Sequence, residues 1–229
     1  MTNIVKHPYD FDLRLDDSVS THALQFQLIP EHSRVLDIGC HTGILGEALR
    51  QRKQCHVTGV DNDDNALAIA SKRLDSVHRV DLEQRSWSAM LLDACLSNFD
   101  IILFGDVIEH TRQPLAILEE AHTLLKPNGR IIVSLPNVAN LRVRLNLLFG
   151  KFNYAESGIL DRTHLRFFTL KSARELVTSA GYRIVKETYS GYSLPRWLID
   201  LFPALLAVNI VILAEHIGKG HSTGAVLNK

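Results

Sequence analysis

An apolar run followed by a glycine-containing turn, Val35-Leu-Asp-Ile-Gly-Cys-His-Thr-Gly43, determines the predicted fold. Its first four residues have the composition of a buried strand, and Gly39 and Gly43 bracket a tight turn. The apolar residues that follow recur at helical spacing: Ile44, Leu45, Ala48 and Leu49. Glycine adopts positive φ without strain and lets a ligand approach the backbone, while the first helical turn offers free N–H groups. The run therefore predicts a strand–loop–helix unit that binds a ligand at its loop.

A second apolar run, Val57-Thr-Gly-Val-Asp61, ends in a carboxylate about 18 residues after the loop, where a carboxylate can bind ribose hydroxyls. Because the glycines fall at 39, 43 and 46, the G-x-G-x-x-G spacing of nicotinamide-binding loops is absent. The loop alone is also compatible with a purely structural turn. Together with Asp61, it favours a nucleoside-containing cofactor.

Outward from this unit, short apolar runs alternate with helix-period segments from residue 33, which is typical of a parallel α/β sheet. The predicted strands are Arg34–Ile38, His56–Val60, Val77–Val80, Phe99–Phe104, Arg130–Leu135, Tyr182–Tyr189 and Asn209–Glu215. We predict helices over Asp64–Leu74, from Pro114 past Leu125, and from Thr169, as N-cap, through Ala180. Residues 137–168 do not fit the alternation and are predicted to form a lid-like helical insertion before the sixth strand.

The composition is that of a single globular domain over residues 1–229, with a flexible tail predicted at 217–229. The 25 basic and 25 acidic residues cancel, which argues against nucleic-acid binding by bulk charge. The N-terminus does not resemble a signal peptide, and the three cysteines have no metal-site spacing, so we expect a cytoplasmic protein. Residues 197–214 are long enough to span a membrane, but Asp200, Pro203 and Asn209 interrupt them. A short helix followed by a strand is the preferred interpretation.

Over residues 33–215 these patterns resemble class I S-adenosylmethionine-dependent methyltransferases. The resemblance implies an α/β, Rossmann-like sheet of seven strands, six parallel and the seventh, Asn209–Glu215, antiparallel. It also implies S-adenosylmethionine as cofactor. The residues implied to bind it are Asp37, Gly39, Cys40 and Gly43 in the first motif, Asp61 and Asn62 at the ribose, Asp81 and Leu82 at the adenine, and Asp106. His41 departs from the family, which usually has glycine at that position, so its side chain must point away from the cofactor or line its pocket.

A cluster of acids and a histidine, Gly105-Asp-Val-Ile-Glu-His110, follows the fourth strand, at the sheet edge where ligands collect. If it forms a helical turn, Asp106 shares a face with Glu109 and His110. The segment resembles the E-x-x-E-H element of ubiquinone-pathway and small-RNA 2′-O-methyltransferases, which is tied to a divalent metal. The implied metal ligands are Asp106, Glu109 and His110, with His164 as a fourth ligand or as the base. The alternative is that Asp106 caps a turn, Glu109 is solvated and His110 packs.

The predicted insertion combines a helical apolar stripe with a net charge of +3. The stripe consists of Val138, Leu141, Leu145 and Leu148. Three interpretations remain open: a docked helix with a solvated basic face, a lid that selects the acceptor through Arg142 and Arg144, and reversible docking on an anionic membrane. The loop Asp161–Thr169, which contains His164, resembles a segment of cell-envelope and quinone-pathway methyltransferases.

The expected function is methyl transfer to an oxygen of a small-molecule, lipid-linked or sugar acceptor, with His110 or His164 as the catalytic base. Two alternatives are N-methylation of an amine such as an amino sugar, and a cofactor-binding regulatory subunit without activity. The expected partners are the acceptor and, at the periphery, a membrane surface.

Overall fold

The computed structural model describes residues 13, 15–84, 86–192 and 194–218, which form a seven-stranded sheet flanked by helices. The strands are β1 (Arg34–Ile38), β2 (His56–Asp61), β3 (Ser76–Arg79), β4 (Phe99–Gly105), β5 (Leu125–Pro136), β6 (Tyr182–Tyr189) and β7 (Asn209–His216). The helices are α1 (Thr21–Leu28), α2 (Ile44–Lys53), α3 (Asp64–Ala70), α4 (Trp87–Asp93), α5 (Pro114–Ala121), α6 (Leu141–Leu148), α7 (Leu170–Ser179), α8 (Arg196–Leu201) and α9 (Pro203–Leu206). Two 3₁₀ turns span Ile108–His110 and His122–Leu124.

The strand order is β3-β2-β1-β4-β5-β7-β6. The pairs β3–β2, β2–β1, β1–β4 and β4–β5 are parallel, whereas β7 is antiparallel to both β5 and β6. Six strands therefore run one way and β7 runs the other way, which confirms the predicted sheet. The order reverses between β1 and β4, and ligands of open α/β sheets bind outside the carboxyl ends of the strands at such a point.

The two central strands are buried on both faces because helices cover both sides of the sheet. Leu36 and Phe104 pack into the layer that contains α4, α5 and α7. Val35 and Leu103 point the other way, into the layer of α1, α2 and α3. This alternation is the period-2 geometry of strands, and near-continuous apolar runs are typical of doubly covered strands.

Most predicted elements are confirmed. Pro114 occupies the first turn of α5, and Thr169 caps α7 in a reciprocal capping box with Ser172. Strand β5 begins earlier than predicted, at Leu125, so the helix predicted from Pro114 through Leu125 is too long: it ends at Ala121 and a 3₁₀ turn follows. The predicted helix over Asp64–Leu74 ends at Ala70. Helices α1 and α4 were not predicted, since both are short and neither has a side-chain N-cap bond.

The predicted insertion begins and ends at a single β-bridge between Asn137 and Phe168. Within it, α6 does not bury the predicted stripe, and this expectation is wrong. Leu141, Leu145 and Leu148 are exposed, and Val143 is the buried residue of the helix. The N-terminal end of the helix is held instead, because the side-chain amide of Asn140 donates a 2.9 Å hydrogen bond to the carbonyl oxygen of Ala207. The helix therefore packs through Val143 and its first residues rather than through the predicted stripe.

The stretch 197–214 forms helical structure followed by strand β7, as predicted, although two short helices, α8 and α9, take the place of the single predicted helix. Among the described residues, no helix is both long enough and apolar enough to cross a membrane. Of the tail predicted at 217–229, only Ile217 and Gly218 lie within the described residues.

Candidate active site

A cavity of about 900 Å³ lies at the carboxyl ends of the parallel strands. Its wall includes Gly39 after β1, Asp61 at the end of β2, Asp106 after β4 and Asn209 at the start of β7. The cavity therefore extends across the switch point predicted from the strand order. Its volume is within the range of pockets that bind drug-sized ligands.

The glycine loop forms one wall of this cavity. Gly39 has a φ of +69°, and a Cβ atom there would lie 2.8 Å from Cγ2 of Val107, so only glycine fits. Gly43 has a φ of +75°, which allows the chain to turn into α2. A Cβ atom there would lie 3.3 Å from Ala70, so the missing side chain also lets α3 pack closely against the loop. Gly43 is not among the residues that line the cavity, and its role as a cofactor contact stays a prediction.

His41 occupies the position where the family usually has glycine, and it lines the cavity with a φ of +47°. A left-handed conformation costs a non-glycine residue roughly 1–2 kcal/mol. The cost is offset locally, because the His41 amide donates a 2.8 Å hydrogen bond to Oδ2 of Asp61.

Asp61 ties the end of β2 to the glycine loop. Its Oδ2 accepts the bond from His41, and its Oδ1 accepts bonds from the amides of Asn62 and Asp63 at 2.8 and 3.0 Å. An ionised carboxylate has about four acceptor sites, so these three bonds leave one of them for a ligand hydroxyl. The structure thus leaves room for one bond to a ribose rather than the two expected.

Asp37 is the most strongly perturbed acid of the cofactor wall. Burial, and then the negative charge of Asp61, raises the pKa of Asp37 to about 7. A buried carboxyl with a pKa near neutrality favours the approach of a positively charged ligand group, which would stabilise its ionised form.

The remaining predicted cofactor residues also line the cavity. They are Cys40, Asn62, Asp81 and Leu82. Asp81 accepts a 3.0 Å hydrogen bond from the amide of Glu83, which orients its carboxylate. The Cys40 thiol is buried against Gly59, and burial raises its pKa, so this side chain is neutral and packs in the core. The contact that Cys40 can offer a ligand is through its backbone.

Asp106 lies at the centre of a polar network with Ser134 and Asn209. Its Oδ1 accepts hydrogen bonds from the Ser134 hydroxyl at 2.8 Å and from the Asn209 side-chain amide at 2.5 Å. The Ser134 oxygen in turn accepts a bond from Gln25 of α1. Asp106 has a φ of +53° and precedes the 3₁₀ turn, so it does not share a helical face with Glu109. The predicted metal set with Asp106 as ligand is not assembled in the structure.

Glu109 is only 1% exposed, and neither carboxylate oxygen has a hydrogen-bond partner among the described residues. Burial, followed by the charge of Asp106, raises the pKa of Glu109 well above its ordinary value. Its backbone carbonyl accepts bonds from the amides of Leu165 and Arg166, which fixes the insertion against the 3₁₀ turn. A buried carboxyl without hydrogen-bond partners destabilises the folded chain unless a ligand supplies the missing interactions.

Two histidines face this carboxyl. Nδ1 of His164 lies 3.2 Å from the carbonyl oxygen of Ile159, and Nδ1 of His110 lies 3.3 Å from that of Thr163. Since carbonyl oxygens only accept, each Nδ1 carries the proton, and each Nε2 presents a lone pair. Nε2 of His164 is 3.9 Å from Oε1 of Glu109, and the two imidazole rings meet edge to face at 4.7 Å.

Glu109, His110 and His164 therefore form one cluster in the cavity wall, with ligand atoms within 4.8 Å of one another. Each Nδ1–H is held by a backbone carbonyl, an arrangement that commonly orients metal-binding histidines. The cluster has the composition either of a divalent-metal site or of a base supported by a carboxyl group. Sequence reasoning named all three residues, with His164 as a fourth ligand or as the base, but it also expected Asp106, which is not part of the cluster.

Helix α1 contributes cavity residues that the sequence did not reveal, because no motif precedes residue 33. His22 and Gln25, three residues apart on α1, both line the cavity. Burial lowers the pKa of His22, and the negative charge of Asp106 acts against that shift. Oε1 of the buried Gln25 has no hydrogen-bond partner among the described residues.

Comparison with known proteins places the chain in a family. The model of the methyltransferase-domain family matches residues 13–187. A ubiquinone biosynthesis O-methyltransferase of Pseudomonas aeruginosa is 35% identical over 105 residues, which are 45% of this chain and 44% of the relative. The corresponding enzyme of Coxiella burnetii is 26% identical over 179 residues, 77% of this chain and 74% of the relative. The first match thus spans less than half the length of that relative.

Solved structures share the fold. A SAM-dependent methyltransferase from Archaeoglobus fulgidus superposes with a TM-score of 0.59 at 17% identity, covering 86% of this chain and 94% of that one. The 1,6-didemethyltoxoflavin-N1-methyltransferase of Burkholderia thailandensis, solved with bound S-adenosylhomocysteine, gives 0.56 at 19% identity, covering 86% and 76%. From the family match, the chain belongs to the methyltransferase-domain family, and its sheet order and the solved structures show the fold of S-adenosylmethionine-dependent methyltransferases.

Proposed function

We propose that the chain transfers the methyl group of S-adenosylmethionine to an oxygen atom of a small-molecule, lipid-linked or sugar acceptor. The observation that carries this proposal is the presence of Glu109, His110 and His164 in the cavity that also contains Asp37 and Asp61. A hydroxyl acceptor must lose a proton during transfer, and imidazole is the side chain best suited to accept it near neutral pH.

The cofactor supplies a methyl group that its sulfonium has already activated. In the proposed arrangement the backbone around Gly39 approaches the methionine part, Asp61 accepts a bond from the ribose, and Asp81 accepts one from the adenine amine. Asp37 faces the positively charged part of the cofactor, which explains a buried acid at this position. The protein must then align acceptor oxygen, methyl carbon and sulfur, and exclude water.

His110 and His164 are the proposed bases because their Nε2 lone pairs are available. As the oxygen–carbon bond forms and the carbon–sulfur bond breaks, the electron pair of the latter stays on sulfur and the hydroxyl proton passes to Nε2. The carbonyls of Thr163 and Ile159 hold the opposite nitrogens, so that neither ring has to change tautomer before it reacts.

The same cluster fits a divalent cation. The test of fit is the Glu109 carboxyl, which is buried without partners among the described residues, beside two histidines with available lone pairs. Glu109, His110 and His164 would hold the ion, and their mixed oxygen and nitrogen donors suit Mn²⁺, Zn²⁺ or Fe²⁺ better than Mg²⁺. When bound, the ion would lower the pKa of an acceptor hydroxyl.

The relatives support an oxygen acceptor. The matched enzymes of Pseudomonas aeruginosa and Coxiella burnetii are named as O-methyltransferases of ubiquinone biosynthesis. The identity is low and the first match is partial. These names therefore support oxygen as the methylated atom, but they do not identify the acceptor molecule.

The experiment measures methyl transfer from labelled S-adenosylmethionine to pairs of acceptors. Each pair consists of a phenol or sugar alcohol and of the amine that has the same carbon skeleton. We expect transfer to the hydroxyl compounds. Replacing His110 and His164 together by Gln should reduce transfer about 10²–10⁴-fold and leave S-adenosylhomocysteine affinity unchanged. Transfer to amines alone would contradict the proposal, and tight cofactor binding with no transfer to any acceptor would indicate a regulatory subunit.

A further inference from the structure

Gln25 is a buried polar residue on a helix that otherwise packs through apolar side chains. It is 1% exposed, and the buried residues beside it on α1 are Ala23 and Leu24. Gln25 nevertheless lines the cavity, and its Oε1 has no hydrogen-bond partner among the described residues. A buried carbonyl oxygen without a donor destabilises the folded chain, so its place in a cavity wall indicates a ligand that donates to it.

Ser134 and Asp106 fix the orientation of the Gln25 amide. Nε2 of Gln25 donates a 2.8 Å hydrogen bond to the Ser134 hydroxyl oxygen, which also accepts from the Asp106 amide at 2.9 Å. The hydroxyl has a single proton, and Ser134 donates it to Oδ1 of Asp106 at 2.8 Å. Because no proton of Ser134 remains for Gln25, the amide must present its nitrogen to Ser134 and keep its oxygen for another donor.

The end of β4 gives this amide the room that it needs. A Cβ atom at Gly105 would lie 3.2 Å from Nε2 of Gln25, so a side chain there would crowd the amide. On the other side, the Asn209 side-chain amide at the start of β7 donates to the same Oδ1 of Asp106. Gln25, Asp106 and Asn209 thus form one wall of the cavity, which we call the polar wall.

The polar wall and the proposed cofactor residues belong to different halves of the sheet. Asp61 ends β2 and Asp81 follows β3, whereas the polar wall comes from α1, the end of β4 and the start of β7. The strand order β3-β2-β1-β4-β5-β7-β6 separates these two groups at the switch point. The proposed base His110 also follows β4. The polar wall therefore lies on the side of the cavity where the acceptor would meet the base.

On the basis of the proposed methyl transfer, we propose that Gln25 determines acceptor specificity. Its Oε1 accepts a hydrogen bond from a second donor group of the acceptor, on the carbon next to the one that carries the methylated oxygen. A hydroxyl or an amine at that carbon supplies the proton, whereas an ether or a hydrogen atom does not. Ser134 and Asp106 are positioning residues, because they hold the amide with Oε1 available. An acceptor without the second donor would leave this oxygen unpartnered and would bind more weakly.

Four small phenols separate these requirements: catechol, 2-aminophenol, 2-methoxyphenol and phenol. The first two have a donor next to the hydroxyl, the third has an oxygen without a proton, and phenol has neither. NMR titration of chelator-treated protein saturated with S-adenosylhomocysteine measures their dissociation constants, so that neither turnover nor a metal ion contributes. Catechol and 2-aminophenol should bind about tenfold more tightly than the other two, as expected for one hydrogen bond to a buried oxygen.

Gln25→Met keeps the length of the side chain and removes both groups of the amide. This variant should reduce the preference for catechol over phenol to about one- to threefold. Ser134→Ala, which releases the Gln25 amide, should lower the preference as well. The matched control is Gln51→Met on α2, an exposed glutamine bonded to Glu47, which should keep the preference of the wild type. S-adenosylhomocysteine affinity, which should not change in Gln25→Met, confirms that the variant is folded.

Equal binding of catechol and phenol by the wild-type chain would overturn the proposal, and so would an unchanged preference in Gln25→Met. Binding of 2-methoxyphenol as tight as that of catechol would contradict the need for a donor. A loss of S-adenosylhomocysteine affinity in Gln25→Met, with the catechol preference kept, would assign Gln25 to the cofactor instead. Since these titrations involve no methyl transfer, their outcome is distinguishable from a failure of the proposed reaction.

Discussion

The hydroxyl oxygen of Thr163 lies 3.0 Å from Nδ1 of His110 and 2.7 Å from Oδ1 of Asp161. Burial alone would raise the pKa of Asp161, but its hydrogen bonds from Thr163 outweigh this effect and lower it, so the carboxylate is ionised and only accepts. The hydroxyl therefore donates to Asp161 and accepts from His110. This relay fixes the proton of His110 on Nδ1 and presents Nε2 to the cavity.

Replacing Thr163 by Val should reduce the turnover rate about five- to tenfold, the kinetic equivalent of one hydrogen bond worth ~1–1.5 kcal/mol. The physical reason is that His110 keeps the backbone carbonyl of residue 163 but loses the shorter contact of its Nδ1 with the hydroxyl. Steady-state kinetics and S-adenosylhomocysteine calorimetry measure the two consequences separately, and the affinity should not change. Thr163→Ser keeps the hydroxyl and should retain the rate; a loss equal to that of the Val variant would contradict the relay.

Replacing Asp61 by Ala should weaken S-adenosylhomocysteine binding at least tenfold. One hydrogen bond to a carboxylate contributes about 1.5–3 kcal/mol, and the variant also releases the amide of His41 from the loop. Isothermal titration calorimetry measures the loss. The control is Asp64→Ala, an exposed carboxylate paired with Arg79, which should bind like the wild type. Wild-type affinity in the Asp61 variant would remove this residue from the cofactor site.

Asp37 should make the folded chain less stable as the pH rises. Its pKa is raised from 3.8 to about 7, so the folded state keeps a proton that the unfolded chain has released above about pH 4. This contribution to stability is complete at acid pH and is lost as the pH rises toward 7. Between pH 5 and 7 the loss amounts to about 2–3 kcal/mol.

Urea unfolding at pH 5 and pH 7.5 measures this dependence, with Asp37→Asn as the comparison. The Asn side chain is similar in shape and does not titrate, so the variant should show a smaller fall in unfolding free energy over the same interval. Parallel falls in the two proteins would show that Asp37 does not carry the buried proton.

A divalent cation should stabilise the chain through Glu109. A ligand at a hundred times its dissociation constant adds about 2.7 kcal/mol, which in a chain of this size raises Tm by roughly 5–10 °C. Thermal unfolding of chelator-treated protein with added Mn²⁺ or Zn²⁺ measures the shift. Glu109→Gln should abolish it, whereas Asp106→Asn should not, because Asp106 lies outside the cluster. If neither ion raises Tm and elemental analysis finds no metal, the metal site is contradicted. The cluster would then act only as a base.

The sequence was sufficient for the sheet because buried parallel strands produce continuous apolar runs and the loop at Gly39 has a strict geometric requirement. The position of Asp61 was also predictable from the sequence. Asp61 ends strand β2, and the ends of parallel strands determine which side chains meet at the edge of the sheet. The exposed face of α6 was not predictable, because apolar spacing such as that of Leu141, Leu145 and Leu148 shows periodicity but not whether a partner exists.

The composition of the active-site cluster was only partly predictable. Spacing brought Glu109 and His110 together, but the direction of Asp106 depends on Ser134 and Asn209, 28 and 103 residues away in the chain. Likewise, the contribution of His22 and Gln25 depends on α1 packing beside β5 and β7, a long-range arrangement that no local pattern encodes.

The most direct test of the account is the identity of the bond formed by the transferred carbon. Wild-type protein is incubated with S-adenosylmethionine carrying a ¹³C-labelled methyl group and with a phenol that also bears an amine, and the product is analysed by carbon-13 NMR. The account predicts that the labelled carbon is bonded to oxygen, and that the His110→Gln, His164→Gln variant forms this product at least a hundred times more slowly. A labelled carbon bonded to nitrogen, formed equally fast by both proteins, would contradict it.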